Sequence, residues 1–134
     1  MTLRRKSREF ALQMLFQWEI GRQPAELIEA GFWKNARSEK TTRVFANQLF
    51  EGVVAHATAL DELIGQHTID WRLERLAAVD RAILRLAIYE LRAGETPPKV
   101  VINEAVELAK KFSSTEAVPF INGILDAIHK SSEK

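Results

Sequence analysis

Between Trp71 and Leu91 the chain reads W-R-L-E-R-L-A-A-V-D-R-A-I-L-R-L-A-I-Y-E-L, the most hydrophobic stretch of its 134 residues. At 3.6 residues per turn, Val79, Ile83, Leu86 and Ala87 fall on one side, and Leu84, Ile88 and Leu91 on another. Only a strip including Arg81, Arg85 and Arg92 is polar. A helix apolar around most of its circumference has to be covered on several sides, so other helices must surround it. Gly94 ends it.

The rest of the chain offers those helices. The first runs from about Leu3 to Ile20, with Phe10 or Ala11, Met14 and Trp18 as its inward stripe and Leu12 and Leu15 widening it. It stops before Gly21 and Pro24. A short helix fits Ala25 to Ala30, closed by Gly31, and Phe32 to Lys40 reads as a polar connection with Phe32 and Trp33 as anchors. From Thr41, Phe45, Leu49 and Val53 recur every fourth residue. The run continues past Ala57 into a short helix carrying Leu60, Leu63 and Ile64, with Asp61 in its first turn. Thr96-Pro97-Pro98 opens the next helix, proline being tolerated in a first turn, and Val101, Ala105, Leu108, Ala109 and Phe112 form its stripe. Ser113-x-x-Glu116 matches a capping box, and a last helix through Phe120, Ile124, Leu125 and Ile128 has Pro119 in its first turn. No alternating strand pattern competes. The fold class predicted is all-α, with seven or eight helices.

With 46% apolar and 28% charged residues, the composition is that of a globular domain. No apolar run is long enough for a membrane span, and the basic start is not followed by a secretory h-region. Cysteine is absent, which excludes disulfides and thiol chemistry and fits a reducing, cytoplasmic setting. His56, His67 and His129 lie far apart without metal-ligand spacing. No phosphate loop or nucleophile motif occurs, so no catalytic residue, metal or cofactor is expected. Gly123 interrupts the apolar run F120-I-N-G-I-L-D126 at a cost of about 1 kcal/mol relative to alanine. Either the helix tolerates it, or another helix or a ligand backbone approaches there.

The charge distribution is the remaining signal. Net charge is only +1, yet Arg4, Arg5, Lys6 and Arg8 precede the first acid, Glu9. Cations at a helix N-terminus oppose the helix dipole by roughly 0.3–1 kcal/mol each. Arg4 and Arg8 share a face by i,i+4 spacing, with Arg5 beside them, so their guanidinium groups are expected to meet phosphate from a rigid element. A bound polyanion relieves the local penalty. The competing reading is a solvated chain start whose charge is incidental. Phe16 falls off the Phe10–Met14–Trp18 stripe, which points to exposure; the alternative for Phe16 and Phe120 is burial in the core.

Four segments in order carry a resemblance: R4-R-K-S-R-E-F-A-L-Q-M-L-F-Q-W18, L73-E-R-L-A-A-V-D-R-A-I-L-R-L-A-I-Y-E-L91, V100-V-I-N-E-A-V-E-L-A-K-K-F112 and F120-I-N-G-I-L-D126 resemble the NusB family of bacterial transcription antitermination factors. The stretch from Arg22 to Ser38 carries least of it. The resemblance implies one domain of two packed helical bundles, about 1–70 and about 71–130. It implies binding to the boxA element of nascent ribosomal RNA, a single-stranded RNA, together with the ribosomal protein NusE, in a complex that lets RNA polymerase read through terminators. It maps RNA contacts onto Arg4, Arg5, Lys6 and Arg8, an aromatic contact onto Phe16, and Phe120 and Asn122 onto the same surface. Asp80, with Arg81 beside it, maps to the region that meets NusE; the competing role for Asp80 is capping its own helix. Exposed apolar surface would suit NusE or a homodimer. Ribosomal RNA cytosine methyltransferases carry a similar domain ahead of their catalytic part, and the end of this chain at Lys134 favours the free factor. A helical interaction adaptor without RNA function is the remaining alternative.

Overall fold

The computed structural model describes residues 3–68 and 76–132, with the side chain of Leu3 left aside. Among the described residues there are seven helices and no strand: α1 (Leu3–Gly21), α2 (Ala25–Asn35), α3 (Lys40–Ala55), α4 (Ala57–Gln66), α5 (Ala78–Ala93), α6 (Pro98–Phe112) and α7 (Ala117–Ser132). The first residues of the Trp71–Leu91 stretch, and the bundle boundary near 70/71, lie outside the described residues. Helix α5 packs against α1, α3 and α4 on one side and α6 and α7 on the other. Residues Ala82 through Ile88 are all buried, including Arg85. The polar strip expected at Arg81, Arg85 and Arg92 is therefore covered at Arg85 and mostly at Arg81, where acids on neighbouring helices meet it, while Arg92 stays exposed.

Local chemistry sets most of the boundaries. Gly94 takes the left-handed conformation (φ 72°) that only glycine adopts without strain, and its N–H bonds to Glu90 O to end α5. Pro97 caps α6 with Pro98 as its first residue. Three boundaries differ from the sequence expectation. Helix α2 does not close at Gly31 but runs on to Asn35. Phe10, Phe32 and Trp33 form a cluster of edge-to-face rings with centroids 4.9–5.7 Å apart, and the Trp33 indole donates to Asn47 Oδ1 at 2.7 Å. Burying Phe32 is worth roughly 1.5–3 kcal/mol, more than the cost of about 1 kcal/mol for an internal glycine. Asp61 is not in the first turn of α4; it is the fifth residue, turned toward Arg85. The serine that bonds the start of α7 is Ser114, whose Oγ accepts from Ala117 N at 3.2 Å, while Ser113 Oγ donates to Asp80.

The core consists of apolar residues from all seven helices, with Leu12, Met14, Leu15, Phe50, Ile83 and Leu125 among the fully buried. Charge crosses it as well. Arg8 on α1 is 4% exposed and forks onto Glu90 of α5, Nε to Oε2 at 2.7 Å and Nη2 to Oε1 at 2.8 Å. Arg85 on α5 reaches Asp61 of α4 through two bonds of 2.7 and 2.8 Å and Glu19 of α1 at 3.0 Å. Arg81 also pairs with Glu19. Helices α1 and α5 are thus clamped at both ends.

Removing one partner of a buried pair strands the other charge. Arg8→Met is expected to cost about 3–5 kcal/mol in urea unfolding, and adding Glu90→Leu should recover most of that loss. A second expectation concerns α2 and α3. The Glu29 carboxyl is pushed up from 4.5 to about 7, first by burial and then by hydrogen bonding and charge from Glu51, with Glu26 adding to it. The folded state then holds a proton that the unfolded chain releases, so this site stabilises the fold below about pH 4.5 and loses that contribution as pH rises toward 7. Thermal melts between those limits should show Glu29→Gln with a flatter pH profile than the parent.

Candidate nucleic-acid interface

The first turn of α1 divides its cations among different tasks. At 100° per residue, Lys6, Gln13, Phe16, Gln17 and Ile20 fall on one solvent-facing stripe, and all five are exposed. Arg4 leaves from the opposite side, exposed, with its guanidinium 4.0 Å from the centroid of Phe45 on α3. Arg5 is half-exposed and forks onto Glu104 of α6 at 3.1 and 2.6 Å. Arg8, expected to share an open face with Arg4, instead faces α5 and lies inside the protein. The i,i+4 spacing puts the two on adjacent angles, but only Arg8 sits deep enough along α1 for α5 and α6 to cover it. Arg8 is thus not a surface donor.

Electrostatics follow this geometry. Burial by itself works against the Arg8 charge; the fork to Glu90 and the charge of Glu104, 3.6 Å from Nη1, outweigh it, so its pKa is raised. Hydrogen bonding to Glu104 raises the pKa of Arg5, and the same bond, with the charges of Arg5 and Arg8, holds Glu104 below its usual value despite partial burial. Glu104 is shared between one buried arginine and one that reaches solvent. Ser7, also buried, donates to Thr42 O at 2.9 Å and fixes α1 against α3.

The other expected residues occupy distinct settings. Phe16 is 42% exposed, as its position off the inward stripe implied. Phe120 is half-buried and packs against the core from the first turn of α7; Asn122 and Gly123 are exposed. A Cβ on Gly123 would meet nothing within 4 Å, so among the described residues no other helix approaches there. Asp80 is the third residue of α5, not its cap: Ala77 holds the cap position without a side-chain bond, and Asp80 accepts from Ser113 at the end of α6. Arg81 reaches Glu19, leaving its buried Nε without a partner. Sequence reasoning missed Glu19, Asp61, Glu90 and Glu104, which neutralise arginines from distant helices; no local pattern marks them.

Seven packed helices among the described residues, with cations and an exposed aromatic along the first, define an all-helical class of protein. Among the described residues no group of acids and histidines could hold a metal ion, and no helix is long and apolar enough to cross a membrane. The profile of the NusB family matches residues 5–130. A protein of Koribacter versatilis called transcription antitermination protein NusB is 50% identical over 127 residues, covering 93% of this chain and 87% of that protein. Its Bacillus subtilis counterpart is 45% identical, with 98% of each chain covered. The chain is also similar to solved structures. T. maritima NusB has a TM-score of 0.88 at 36% identity, covering 95% of this chain and 90% of that one. A chain from a crystal structure of antitermination factors NusB and NusE in complex with dsRNA has a TM-score of 0.87 at 29% identity, covering 98% of each. The chain belongs to the NusB family.

The two phenylalanines should respond differently to truncation. Phe16→Ala is expected to lower unfolding free energy by less than about 1 kcal/mol, since a fully buried phenylalanine costs about 3–5 kcal/mol. Phe120→Ala should cost more than Phe16→Ala in the same urea titration, because part of its ring packs on the core.

Proposed function

We propose that this protein is an RNA-binding transcription antitermination factor, acting in the cytoplasm by binding rather than by catalysis. It takes up the boxA element of nascent ribosomal RNA jointly with NusE, within a complex on RNA polymerase that reads through terminators. The observation that carries this reading is the similarity over 98% of the chain to the NusB of a NusB–NusE–dsRNA complex. The first turn of α1 supports it, since Arg4 and Lys6 both reach solvent there, on either side of the helix start.

In this reading the residues have separate roles. Arg4 and Lys6 contact phosphate directly. Arg5 joins them by exchanging one carboxylate partner, Glu104, for a phosphate, which its forked geometry suits equally well. Arg8 touches no RNA and acts by holding α1 against α5 and α6. Phe16 offers a face on which an unpaired base stacks, with Phe120 and Asn122 bordering the same surface. Asp80 and Arg81 lie at the start of α5, toward NusE. Exposed apolar residues such as Phe16 and Ile20 would also suit a second copy of the chain when RNA and NusE are absent.

Fluorescence anisotropy of a dye-labelled boxA RNA, titrated with the protein and NusE across a salt series, tests the assignment. Each phosphate contact contributes about 0.7 to the slope of log affinity against log salt for a single strand. The double variant Arg4→Gln, Lys6→Gln should therefore flatten the slope by about 1.4. Asp80→Asn should weaken capture of NusE without changing the melting temperature by more than a degree or so. Unchanged RNA affinity and slope in the double variant would leave the helical-adaptor reading in place of this one.

A further inference from the structure

Glu9 lies one turn inside α1 and is 4% exposed, yet its cationic partners come from the surface. Lys6 Nζ lies 4.0 Å from Oε1, and Lys111 Nζ, from the last turn of α6, lies 2.9 and 3.1 Å from the two carboxylate oxygens. Both lysine side chains are about half exposed, 46% and 51%. Two ammonium groups thus converge on one carboxylate from opposite helices. An ammonium has three donors, so with the carboxylate on its inner side each keeps donors directed to water. Lys6, Lys111 and Glu9 together carry one net positive charge. Between α1 and α6, a depression of about 260 Å³ is lined by four cations (Arg5, Arg8, Lys110 and Lys111) and three carboxylates (Glu9, Glu104 and Glu107), a net charge of +1.

We propose that Lys111 is a further phosphate-contacting cation of the RNA surface, paired with Lys6 across the Glu9 carboxylate. This rests on the RNA-binding reading above. Two compact point charges on one carboxylate, of which Lys111 lines the depression, suit a phosphate group, which can bridge both while Glu9 keeps them from drifting apart when the site is empty. Lys111 also carries the basic surface from the start of α1 to the end of α6, immediately ahead of the turn that leads to Phe120 and Asn122. It links two patches that are otherwise separate in sequence. Its competing role is local: a lysine in a last turn offsets the helix dipole and pairs with Glu9 without any ligand.

Three proteins decide between these: Lys111→Gln, Lys111→Arg and the double variant Arg4→Gln, Lys6→Gln, each titrated against the dye-labelled boxA RNA with NusE over the same salt series and each melted thermally. The expected result is a several-fold loss of affinity in Lys111→Gln, with a salt slope flatter by about 0.7, and a parental slope in Lys111→Arg. A lowered melting temperature in Lys111→Gln with parental affinity and slope, while the double variant is weakened, would overturn the inference and leave the RNA reading standing. No change in either Lys111→Gln or the double variant would overturn both.

Discussion

The fork between Arg8 and Glu90 is the constraint on which the placement of the first helix depends. An arginine taken from water and left alone costs several kcal/mol, so Arg8 is acceptable in the interior only where both of its donor edges are met. Glu90 meets one edge at hydrogen-bonding distance and Glu104 lies close to another. The arrangement recurs with polarity reversed at the far end of the same helix pair, where α5 supplies Arg85 and α1 supplies Glu19. An apolar seam between two helices can slide or rotate at modest cost. The Arg8–Glu90 fork at one end, and Glu19 held by Arg81 and Arg85 at the other, fix both register and rotation, and thereby decide which residues of α1 face solvent.

Much of this was legible in the sequence. The helices could be found because their signals are local: a 3.6-residue stripe, a proline in a first turn, a glycine past the last one. Phe16 was legible for the same reason, since a residue off the inward stripe must point elsewhere. What failed were inferences in which a local signal met a distant partner. Gly31 is a helix stop by local rule, and only the rings of Phe10 and Trp33 explain why α2 continues through it. Arg8 and Arg85 read as surface residues because arginine alone belongs there; the acids that admit them to the interior lie on other helices. For Asp80 the sequence offered a contact with NusE, with capping of its own helix as the competing role; the cap position falls to Ala77 and Asp80 accepts from a serine at the end of α6.

These corrections change how the basic first turn works. Four cations in sequence suggested four equivalent phosphate contacts. In the structure they form a gradient from exposed to structural: Arg4 and Lys6 reach water, Arg5 is half-engaged, Arg8 is wholly committed. The electrostatic field at the surface is then weaker than the sequence count implies. That accords with a net charge of +1 and with the joint hold on RNA and a partner protein proposed above.

The contacts that organise α1 also span unusual lengths of chain for a helical protein. Arg8 and Glu90 are 82 residues apart, Arg5 and Glu104 are 99, and Glu9 and Lys111 are 102. Helical bundles owe their rapid folding to short-range contacts, but the first of these pairs closes only once α5 is available and the other two only once α6 is. On the ribosome, the first helix emerges long before the carboxylates that neutralise it. A growing chain therefore lacks Glu90 and Glu104, the carboxylates that Arg8 and Arg5 meet in the folded protein, until synthesis has passed residue 104. Shielding of that early polycation is a demand on biogenesis that the finished fold no longer displays.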